Sequence, residues 1–391
     1  MKAKKVIIYL IAILIICAGC SEKNLIEPST DAKDTKIESV PEETIPTPPI
    51  EEEVEVDVVG EIINAMSNEE LLGQMLVFHL RGITAPEEHF AELIKNTYCS
   101  NFLLLQSNCV NIEQLAGLVS ETKNLNPKPE IPFWFCIDEE GGRVARLGLG
   151  LPSARTTALS DEPLLTAYQN GETTALALKQ AGVQLCLAPV LDTAKDLNTA
   201  SLGDRIYDSN PDVASELGAS FIKGLNDNGI AATIKHFPGV GNSSIDSHFA
   251  YPIISGTREE LEAYDLKSFR NALNDGADVI MVGHLMMPAF DEVNPSSLSK
   301  AITTDLLRNE WGFDGVVITD DMLMGSITSN YDIAEASLQA LLAGADMLMI
   351  TEYEQHTYDR LISAVRDGTI TRERLEESAR RILELKWKYP E

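Results

Sequence analysis

The chain contains few histidines, few cysteines and few positive charges. Among its 391 residues there are six histidines and six cysteines, and 31 Lys and Arg stand against 60 Asp and Glu, for a formal net charge of −29. So acidic a protein is repelled by a phosphate backbone, which excludes nucleic acid as a partner. No two cysteines have CxxC or zinc-finger spacing. The cysteines therefore predict no metal site.

Four of the cysteines lie in the body of the chain. Cys99 and Cys109 flank the apolar run NFLLLQ, which places their Cα atoms about 20–30 Å apart in a strand. That distance is too large for a disulfide. Cys136 and Cys186 fall inside apolar runs and are predicted to be small core residues.

The first twenty residues have the pattern of a secretory signal. MKAKK is a positively charged start, and VIIYLIAILIICAG is an apolar run that leads to Cys20. The stretch CAGC resembles a bacterial lipobox, with Cys17 where that motif usually has leucine, and the resemblance implies a lipid on Cys20. An uncleaved N-terminal anchor helix is the alternative. In either case we expect the protein on the outer face of the cell membrane, held there by its N-terminus.

Residues 21–60 are predicted to form an acidic, Pro-rich disordered tether. Pro, Glu, Thr and Ser dominate PEETIPTPPIEEEVEVD, and no helical or strand period runs through it. Such a segment cannot bury enough apolar surface to fold, and its charges repel one another. The remaining residues, 61–391, contain no internal linker and are predicted to be one catalytic domain. No further apolar run is long enough to span a bilayer.

Short apolar runs alternate with amphipathic segments throughout this domain. The runs are QMLVFHL (74–80), NFLLLQ (101–106), PFWFCID (132–138), VQLCLAPVLD (183–192), AATIKHF (231–237), DVIMVGH (278–284), GVVITDD (315–321) and DMLMI (346–350). Helical patterns include residues 211–229, 258–276 and 372–389. Near-continuous apolar strands between helices are typical of parallel strands buried on both faces. Eight such units predict an α/β fold, a (β/α)8 TIM-type barrel, with a doubly wound open sheet as the alternative.

Polar side chains stand at the ends of five of these runs. They are Asp138, Asp192, Lys235 with His236, His284, and Asp320 with Asp321. In a barrel the carboxyl ends of the strands meet at one mouth, which is where active sites lie. So many polar ends at one mouth favour a functional site over chance helix caps.

The residue types at these ends suit sugar recognition. Lys235 and Arg205 offer fixed hydrogen-bond donors, and Asp138 offers a bidentate acceptor for vicinal hydroxyls. Asp320 directly follows the strand VVIT, where a rigid backbone can hold a nucleophile in place. Strand alternation turns Asp321 the other way, toward helix capping or packing.

The loop KHFPGVGNSSIDSH carries two of the six histidines. A histidine titrates near neutral pH, and a neighbouring carboxylate can orient it for general acid/base catalysis. Asp246 and His248 supply such a pair, two residues apart on a flexible segment. The loop is therefore predicted to be a catalytic flap.

Several motifs together resemble glycoside hydrolase family 3, in its bacterial β-N-acetylglucosaminidase branch. They are IDEEGGRVARL (137–147), APVLD (188–192), KHFPG (235–239), DSH (246–248) and GVVITDDMLMGSI (315–327). The resemblance implies that Asp320 is the nucleophile, that His248 is the acid/base and that Asp246 is its partner. It also implies that Asp138, Arg205, Lys235 and His236 bind the sugar, and His284 is predicted to line the pocket.

Two positions depart from the family pattern. Val240 stands where the family usually has a second histidine, KHFPGHG, and GDRIYD stands where the branch more often has GRSF. His236 has an alternative interpretation as a hydrogen-bonded core histidine. His79, His89 and His356 receive no role.

The main hypothesis is a retaining exo-β-N-acetylglucosaminidase that removes terminal N-acetylglucosamine from peptidoglycan fragments, as a monomer without metal or organic cofactor. A phosphorylase with the same glycosyl-enzyme is the nearest alternative, because a histidine acid/base does not repel phosphate. A metal-dependent hydrolase using His236, His248, His284 and Asp320 would need an H-x-H pair on the first strand, where only His79 occurs. A non-catalytic muropeptide receptor would not need Asp320.

Overall fold

The structure is a computed structural model that describes residues 57–243, 245 and 251–390. The signal with Cys20 and nearly all of the tether lie outside the described residues. So do Asp246 and His248 of the predicted flap. Among the described helices, none is long and apolar enough to cross a membrane.

Eight parallel strands form the central sheet. They are β1 (Leu76–His79), β2 (Asn101–Leu104), β3 (Trp134–Ile137), β6 (Leu185–Cys186), β7 (Ala231–Phe237), β8 (Val279–Val282), β9 (Val316–Thr319) and β10 (Leu348–Ile350). The order is β10-β1-β2-β3-β6-β7-β8-β9. A parallel bridge between Ile318 and Met347, with the Thr319 amide 3.0 Å from the Met347 carbonyl oxygen, joins β9 to the chain entering β10. The sheet thus closes into the predicted (β/α)8 barrel, and the open-sheet alternative is wrong.

Every residue of the eight strands is buried, because helices cover the outside of the barrel and side chains fill its interior. Each predicted apolar run contains one strand. The fourth run is the most interrupted, since β6 covers only two of its ten residues. Pro189 has no N–H to donate, and pairing with β7 resumes at a bridge between Val190 and Lys235.

Helices follow most strands, and two short strands form a hairpin after β3. The helices are α1 (Val58–Ala65), α2 (Asn68–Gln74), α3 (Glu88–Thr97), α4 (Ile112–Lys123), α5 (Ala154–Ala158), α6 (Pro163–Ala181), α7 (Pro211–Asn226), α8 (Arg258–Ala263), α9 (Lys267–Asn274), α10 (Gly325–Thr328), α11 (Ile333–Ala343), α12 (Gln355–Arg366) and α13 (Arg372–Lys388). A π-helical segment spans Ala301–Glu310, and 3-10 turns span Gln106–Asn108, Gly203–Arg205 and Ser296–Leu298. The hairpin consists of β4 (Glu139–Gly141) and β5 (Val144–Ala145).

One helical prediction is wrong in detail. The pattern over residues 258–276 is two helices, α8 and α9, rather than one. The break places Asp265 in the interior, where its Oδ1 accepts a hydrogen bond from Asn242 Nδ2 at 2.6 Å. The Tyr264 hydroxyl donates to the Ser209 carbonyl oxygen at 2.7 Å. Tertiary hydrogen bonds therefore override the helical period.

The cysteines of the body are unpaired, as expected for Cys99 and Cys109. Cys136 and Cys186 are buried in the core, which confirms their interpretation as small core residues. Burial raises the pKa of the Cys99 thiol to about 12 and that of Cys109 to about 11. These thiols are therefore protonated at neutral pH.

A buried carboxylate fastens the closing strand of the barrel. Asp346, which precedes β10, is fully buried and accepts a hydrogen bond from the Val317 amide of β9 at 2.9 Å. Its other partners are charged or polar groups of the surrounding helices: Arg308, Arg381 and Ser378. One side chain thus ties β9, α13 and the π-helical segment to the point where the sheet closes.

We expect Asp346→Asn to lower the free energy of unfolding by about 3–5 kcal/mol, because it leaves buried guanidinium groups without a countercharge. Urea unfolding followed by circular dichroism measures the loss. Asp314→Asn is the matched control, because Asp314 also pairs with Arg381, at 3.1 Å, but its side chain is 90% exposed. The control should change stability by less than about 0.5 kcal/mol. Equal losses in the two variants would contradict the role given to Asp346.

Candidate active site

A polar cavity of about 330 Å³ opens at the C-terminal ends of the barrel strands. Five predicted site residues line it: Asp138, Arg205, Lys235, His236 and Asp320. They come from the ends of three strands, β3, β7 and β9, and from the 3-10 turn at Arg205, and only the closed barrel brings them together. The C-terminal face is where side chains from several strands can converge on one ligand.

Lys235 lies at the centre of the charged groups. Its Nζ is 2.7 Å from Asp138 Oδ1 and 2.6 Å from Glu140 Oε1, and its side chain is only 2% exposed. An ammonium ion is costly to bury without such partners. The two carboxylates therefore hold the lysine in its charged form and direct it toward the cavity.

Glu140 also orients Arg205. The guanidinium donates from Nε to Glu140 Oε2 and from Nη2 to Oε1, both at 2.8 Å, which is a bidentate pair. Burial opposes ionisation of Glu140, but the charges of Lys235 and Arg205 outweigh it and lower the pKa of Glu140 to about 2. The carboxylate is therefore ionised throughout the physiological range.

His236 is held by a second buried carboxylate. Asp192, which is fully buried, lies 2.8 Å from His236 Nδ1 through its Oδ2. The same carboxylate accepts the backbone amides of His236 at 2.9 Å and Val240 at 2.5 Å. This arrangement makes Nδ1 the donor and leaves Nε2 on the cavity side, 3.3 Å from Arg205 Nη2. His236 is hydrogen-bonded, as the core interpretation required, but it also lines the cavity.

The residues Lys235 and His236 are neighbours in β7, yet both side chains line the cavity. Regular strand alternation would place them on opposite faces. The peptide bond between them is cis, as is the Phe237–Pro238 bond. The pairing of β7 with β8 also shifts its register between Ile234 and Phe237, so the end of β7 is not a regular strand.

Asp320 lies directly after β9, and its amide donates to the Val282 carbonyl oxygen of β8 at 2.9 Å. The Asp320 Oδ1 atom accepts the amide of Asp321 at 2.8 Å. Burial raises the pKa of the Asp320 carboxyl, but the nearby His236 and His284, the hydrogen bond from the Asp321 amide and the charge of Lys235 together outweigh burial, so the net shift of the pKa is downward. The cavity therefore contains an ionised carboxylate on a rigid backbone.

The side chain of Asp321 turns away from the cavity. Its Oδ2 accepts a hydrogen bond from Thr351 Oγ1 at 2.7 Å, and its Oδ1 accepts the amides of Leu323 at 3.1 Å and Thr351 at 3.2 Å. Asp321 therefore joins the ends of β9 and β10, in agreement with the predicted packing role.

His284 lies behind these carboxylates rather than on the cavity wall. It is completely buried, with Nδ1 2.7 Å from Ser297 Oγ and Nε2 3.0 Å from the Asp321 carbonyl oxygen. Burial lowers the pKa of its imidazole. Both ring nitrogens are occupied by protein groups, so His284 supports the backbone that carries Asp320. Among the described residues, no group of three or more His, Cys, Asp and Glu is placed to hold a metal ion.

Comparison with known proteins identifies the family. Residues 67–385 match the sequence profile of the glycosyl hydrolase family 3 N terminal domain. The chain belongs to glycosyl hydrolase family 3.

Two relatives and one solved structure illustrate the similarity. The chain is 28% identical over 338 residues to beta-hexosaminidase A of Pseudoalteromonas piscicida, and the aligned region covers 79% of this chain and 56% of that protein. It is 33% identical over 257 residues to a beta-hexosaminidase of Idiomarina loihiensis, covering 64% of this chain and 76% of that protein. A glycoside hydrolase family 3 beta-N-acetylglucosaminidase from Paenibacillus sp. str. FPU-7 matches with a TM-score of 0.79 and 30% identity, over 83% of this chain and 63% of that chain. This chain thus spans little more than half of the first relative.

Three polar residues of this family 3 site were not among the sequence-predicted site residues. The first of them is Glu140. Its spacing from Asp138 in D-x-E-G-G places both side chains on one face of an extended chain, and this spacing is the sequence pattern that indicates its place in the site. The sequence marks Asp192 as the polar end of a strand but predicts no role for it. Arg146 lines the cavity, with Nη2 3.5 Å from Asp138 Oδ2.

The hairpin β4–β5 places Arg146 at the cavity because the buried carboxylate of Glu139 fixes the backbone at Arg146. Glu139 is fully buried, and its Oε2 accepts the amides of Arg146 at 2.7 Å and Leu147 at 2.9 Å. Burial raises the pKa of Glu139. The motif thus uses its three acidic residues differently: Asp138 and Glu140 face the cavity, and Glu139 anchors the hairpin.

Of the two departures from the family pattern, Val240 is buried on the cavity wall and its amide is fixed by Asp192. The backbone of the loop is therefore fixed at Val240 by its hydrogen bond to Asp192. Arg205, in the divergent GDRIYD stretch, lines the cavity, and its sugar-binding role stays a prediction. The catalytic roles assigned to Asp246 and His248 remain predictions.

Acid titration should reveal the role of Glu140. Its pKa lies near 2 in the folded protein, against an ordinary value of 4.5. The ionised carboxylate therefore stabilises the fold above about pH 4.5, and this contribution, about 3 kcal/mol, is lost as the pH falls from 4.5 toward 2. We expect Glu140→Gln to melt well below wild type at pH 6.5 and the difference in melting temperature to narrow between pH 4.5 and 2.5.

Differential scanning calorimetry across this pH range measures the difference. Glu121→Gln, on the exposed face of α4, is the control and should follow wild type at every pH. A difference between Glu140→Gln and wild type that does not change with pH would show that the carboxylate does not titrate as described.

Proposed function

We propose that this protein is a retaining exo-β-N-acetylglucosaminidase that removes terminal non-reducing N-acetylglucosamine from peptidoglycan fragments. The observation that carries the proposal is that Asp320, with its lowered pKa, lines one cavity together with Asp138, Lys235 and Arg205. A carboxylate for attack and a fixed set of hydroxyl-binding groups are what glycosidic bond cleavage requires. The choice of N-acetylglucosamine as the sugar is supported by the similarity to beta-hexosaminidases and to a beta-N-acetylglucosaminidase.

In this proposal Asp320 is the nucleophile. Its carboxylate attacks the anomeric carbon while the leaving oxygen takes a proton, and a covalent glycosyl-aspartate forms. Water then attacks the same carbon and releases the aspartate, so the configuration is retained after two inversions. The hydrogen bond from the Asp321 amide and the rigid strand β9 keep Asp320 in position for attack.

The sugar ring lies against the charged residues opposite Asp320. Asp138 and Lys235 bind vicinal hydroxyls as acceptor and donor, and Arg205 and His236 contact the remaining ring substituents. Because Glu140 and Asp192 hold these donors in place before the sugar arrives, little conformational entropy is lost on binding. Asp246 and His248 act as the acid/base pair, with His248 protonating the leaving oxygen and later accepting the proton of water.

Release of p-nitrophenol from p-nitrophenyl N-acetyl-β-glucosaminide tests these roles. We expect Asp320→Asn to lower kcat by at least about 10³-fold and His248→Ala to lower it by about 10²–10⁴-fold. Asp314→Asn, exposed and remote from the cavity, should retain full activity. Proton NMR of the first product should show the β-anomer. An inert wild type, an α-anomer as first product, or an active Asp320→Asn variant would each overturn the proposal.

Phosphate distinguishes the hydrolase from the phosphorylase alternative. The hydrolase releases N-acetylglucosamine at a rate that does not depend on phosphate. If phosphate raises the rate of the wild type and the product is the sugar 1-phosphate, then the acceptor is phosphate and not water. The assignment of Asp320 as the nucleophile is unaffected by that outcome.

We also propose that a lipid on Cys20 anchors the protein on the outer face of the membrane and that residues 21–60 tether the barrel within reach of the cell wall. Mass spectrometry of the membrane fraction should find a chain that begins at lipid-modified Cys20. Cys20→Ser should carry no lipid and should keep residues 1–19, because lipidation precedes cleavage at a lipobox. Cys109→Ser is the control and should be processed normally. A wild-type chain that retains its unmodified first twenty residues would instead establish the anchor helix.

A further inference from the structure

A second cavity opens at the same end of the barrel, where β1 and β10 end. Its volume is about 290 Å³, close to the 330 Å³ of the first cavity. This is enough for one ring of a saccharide. It is lined by His79 and Arg81 at and after the end of β1, and by Thr351, Glu352 and Tyr353 after β10.

His79 lines this cavity, and one of its two ring nitrogens has no hydrogen-bond partner among the described residues. The residue is only 8% exposed, and its Nε2 lies 3.1 Å from Asn108 Oδ1. The Asn108 amide nitrogen donates to the carbonyl oxygens of Leu80 and Gly82, so Oδ1 is the acceptor and His79 Nε2 carries the proton. His79 Nδ1 has no hydrogen-bond partner among the described residues and is not one of their enclosed atoms.

The neutral ring offers Nδ1 as an acceptor. Burial lowers the pKa of His79, although its bond to Asn108 opposes the shift. A neutral acceptor suits a hydroxyl donor rather than an anion. Because Nδ1 has no partner among the described residues and is not enclosed, it is free to accept a hydroxyl of a ligand in the cavity.

The other walls of the cavity supply the rest of a sugar site. The Arg81 guanidinium, 2.8 Å from Glu352 Oε1, and the carboxylate of Glu87 provide charged donors and acceptors at the rim. Tyr353 presents a half-buried aromatic ring, packed edge-on against Phe78 with ring centroids 5.5 Å apart. Polar groups on one side and an aromatic ring on the other match the hydroxyl and C–H faces of a pyranose.

The two cavities share the end of β10. Met349 lines the first cavity and Thr351 lines the second, and two residues of extended chain separate their Cα atoms by at most about 7 Å. Thr351 is also the residue that binds the Asp321 carboxylate, next to Asp320. Both cavities are therefore bordered by the same short stretch of chain at the end of β10, and this adjacency is the reason for assigning them to one substrate.

We propose that this second cavity binds a sugar ring on the leaving-group side of the substrate and so favours oligosaccharides over simple glycosides. The proposal rests on the proposed function, because it assigns the cavity to the same substrate. In it His79 Nδ1 accepts a hydroxyl of that ring, Arg81 donates to its oxygens, and Tyr353 covers its apolar face.

Hydrolysis of tri-N-acetylchitotriose, compared with the p-nitrophenyl glycoside, tests the proposal. Arg81→Ala and His79→Phe should each lower kcat/KM for the trisaccharide about tenfold more than kcat/KM for the p-nitrophenyl glycoside, the loss of one hydrogen bond to a polar or charged group. Arg81 is 43% exposed, so its substitution does not disturb the core.

Arg380→Ala is the matched control. Arg380 pairs with Asp57 at 2.8 Å and is 41% exposed, which closely matches Arg81, but neither partner lines either cavity. The control should leave both substrates unaffected. Equal losses on the two substrates, or no loss on either, would overturn the second site.

Binding separates failure of this site from failure of the proposed function. Calorimetry with tri-N-acetylchitotriose on the Asp320→Asn protein needs no turnover. Arg81→Ala in that background should weaken binding about tenfold, as expected for one lost hydrogen bond. Unchanged affinity overturns the second site even if the enzyme hydrolyses the p-nitrophenyl glycoside. If the wild type does not hydrolyse the p-nitrophenyl glycoside, the proposed function fails. The second site is then supported only if Arg81→Ala weakens binding of tri-N-acetylchitotriose.

Discussion

The site depends on the burial of one ammonium ion. Lys235 is 2% exposed at the end of β7, and in that position its charge must be balanced by nearby carboxylates. Asp138 and Glu140 provide the balance, and this need determines where the chain after β3 must run. Glu140 then binds Arg205, and Arg205 reaches His236. A single buried cation thus organises residues from three separate parts of the sequence.

A second set of interactions gives the nucleophile candidate its rigidity. The Asp320 amide is bound to β8, and Asp321 reaches across to Thr351 after β10, with His284 behind the Asp321 carbonyl group. The same Thr351 borders the second cavity. The end of β10 therefore borders both cavities, with Met349 lining the first and Thr351 lining the second.

Much of the barrel could be predicted because buried parallel strands leave a simple pattern. All eight apolar runs contain strands, and the polar residue after a run marks the mouth, as Asp138 and Asp320 do. The pattern failed where tertiary contacts overrule local preference. The segment that became α8 and α9 has one continuous helical period, yet Asp265 leaves the helix to bind Asn242. No local pattern in the sequence predicts that hydrogen bond, because its two residues are 23 positions apart.

The sequence by itself determined the fold class, the family and most of the residues at the mouth, because strand burial, strand order and motif spacing are local properties of the chain. Only the tertiary structure decided which of those residues touch. Glu140 became the common partner of Lys235 and Arg205, His284 became a support behind the cavity, and His79 became an open acceptor in a second one. The reason is that charge balance and hydrogen-bond satisfaction in a buried site depend on distances between strands, and those distances exist only once the barrel has closed.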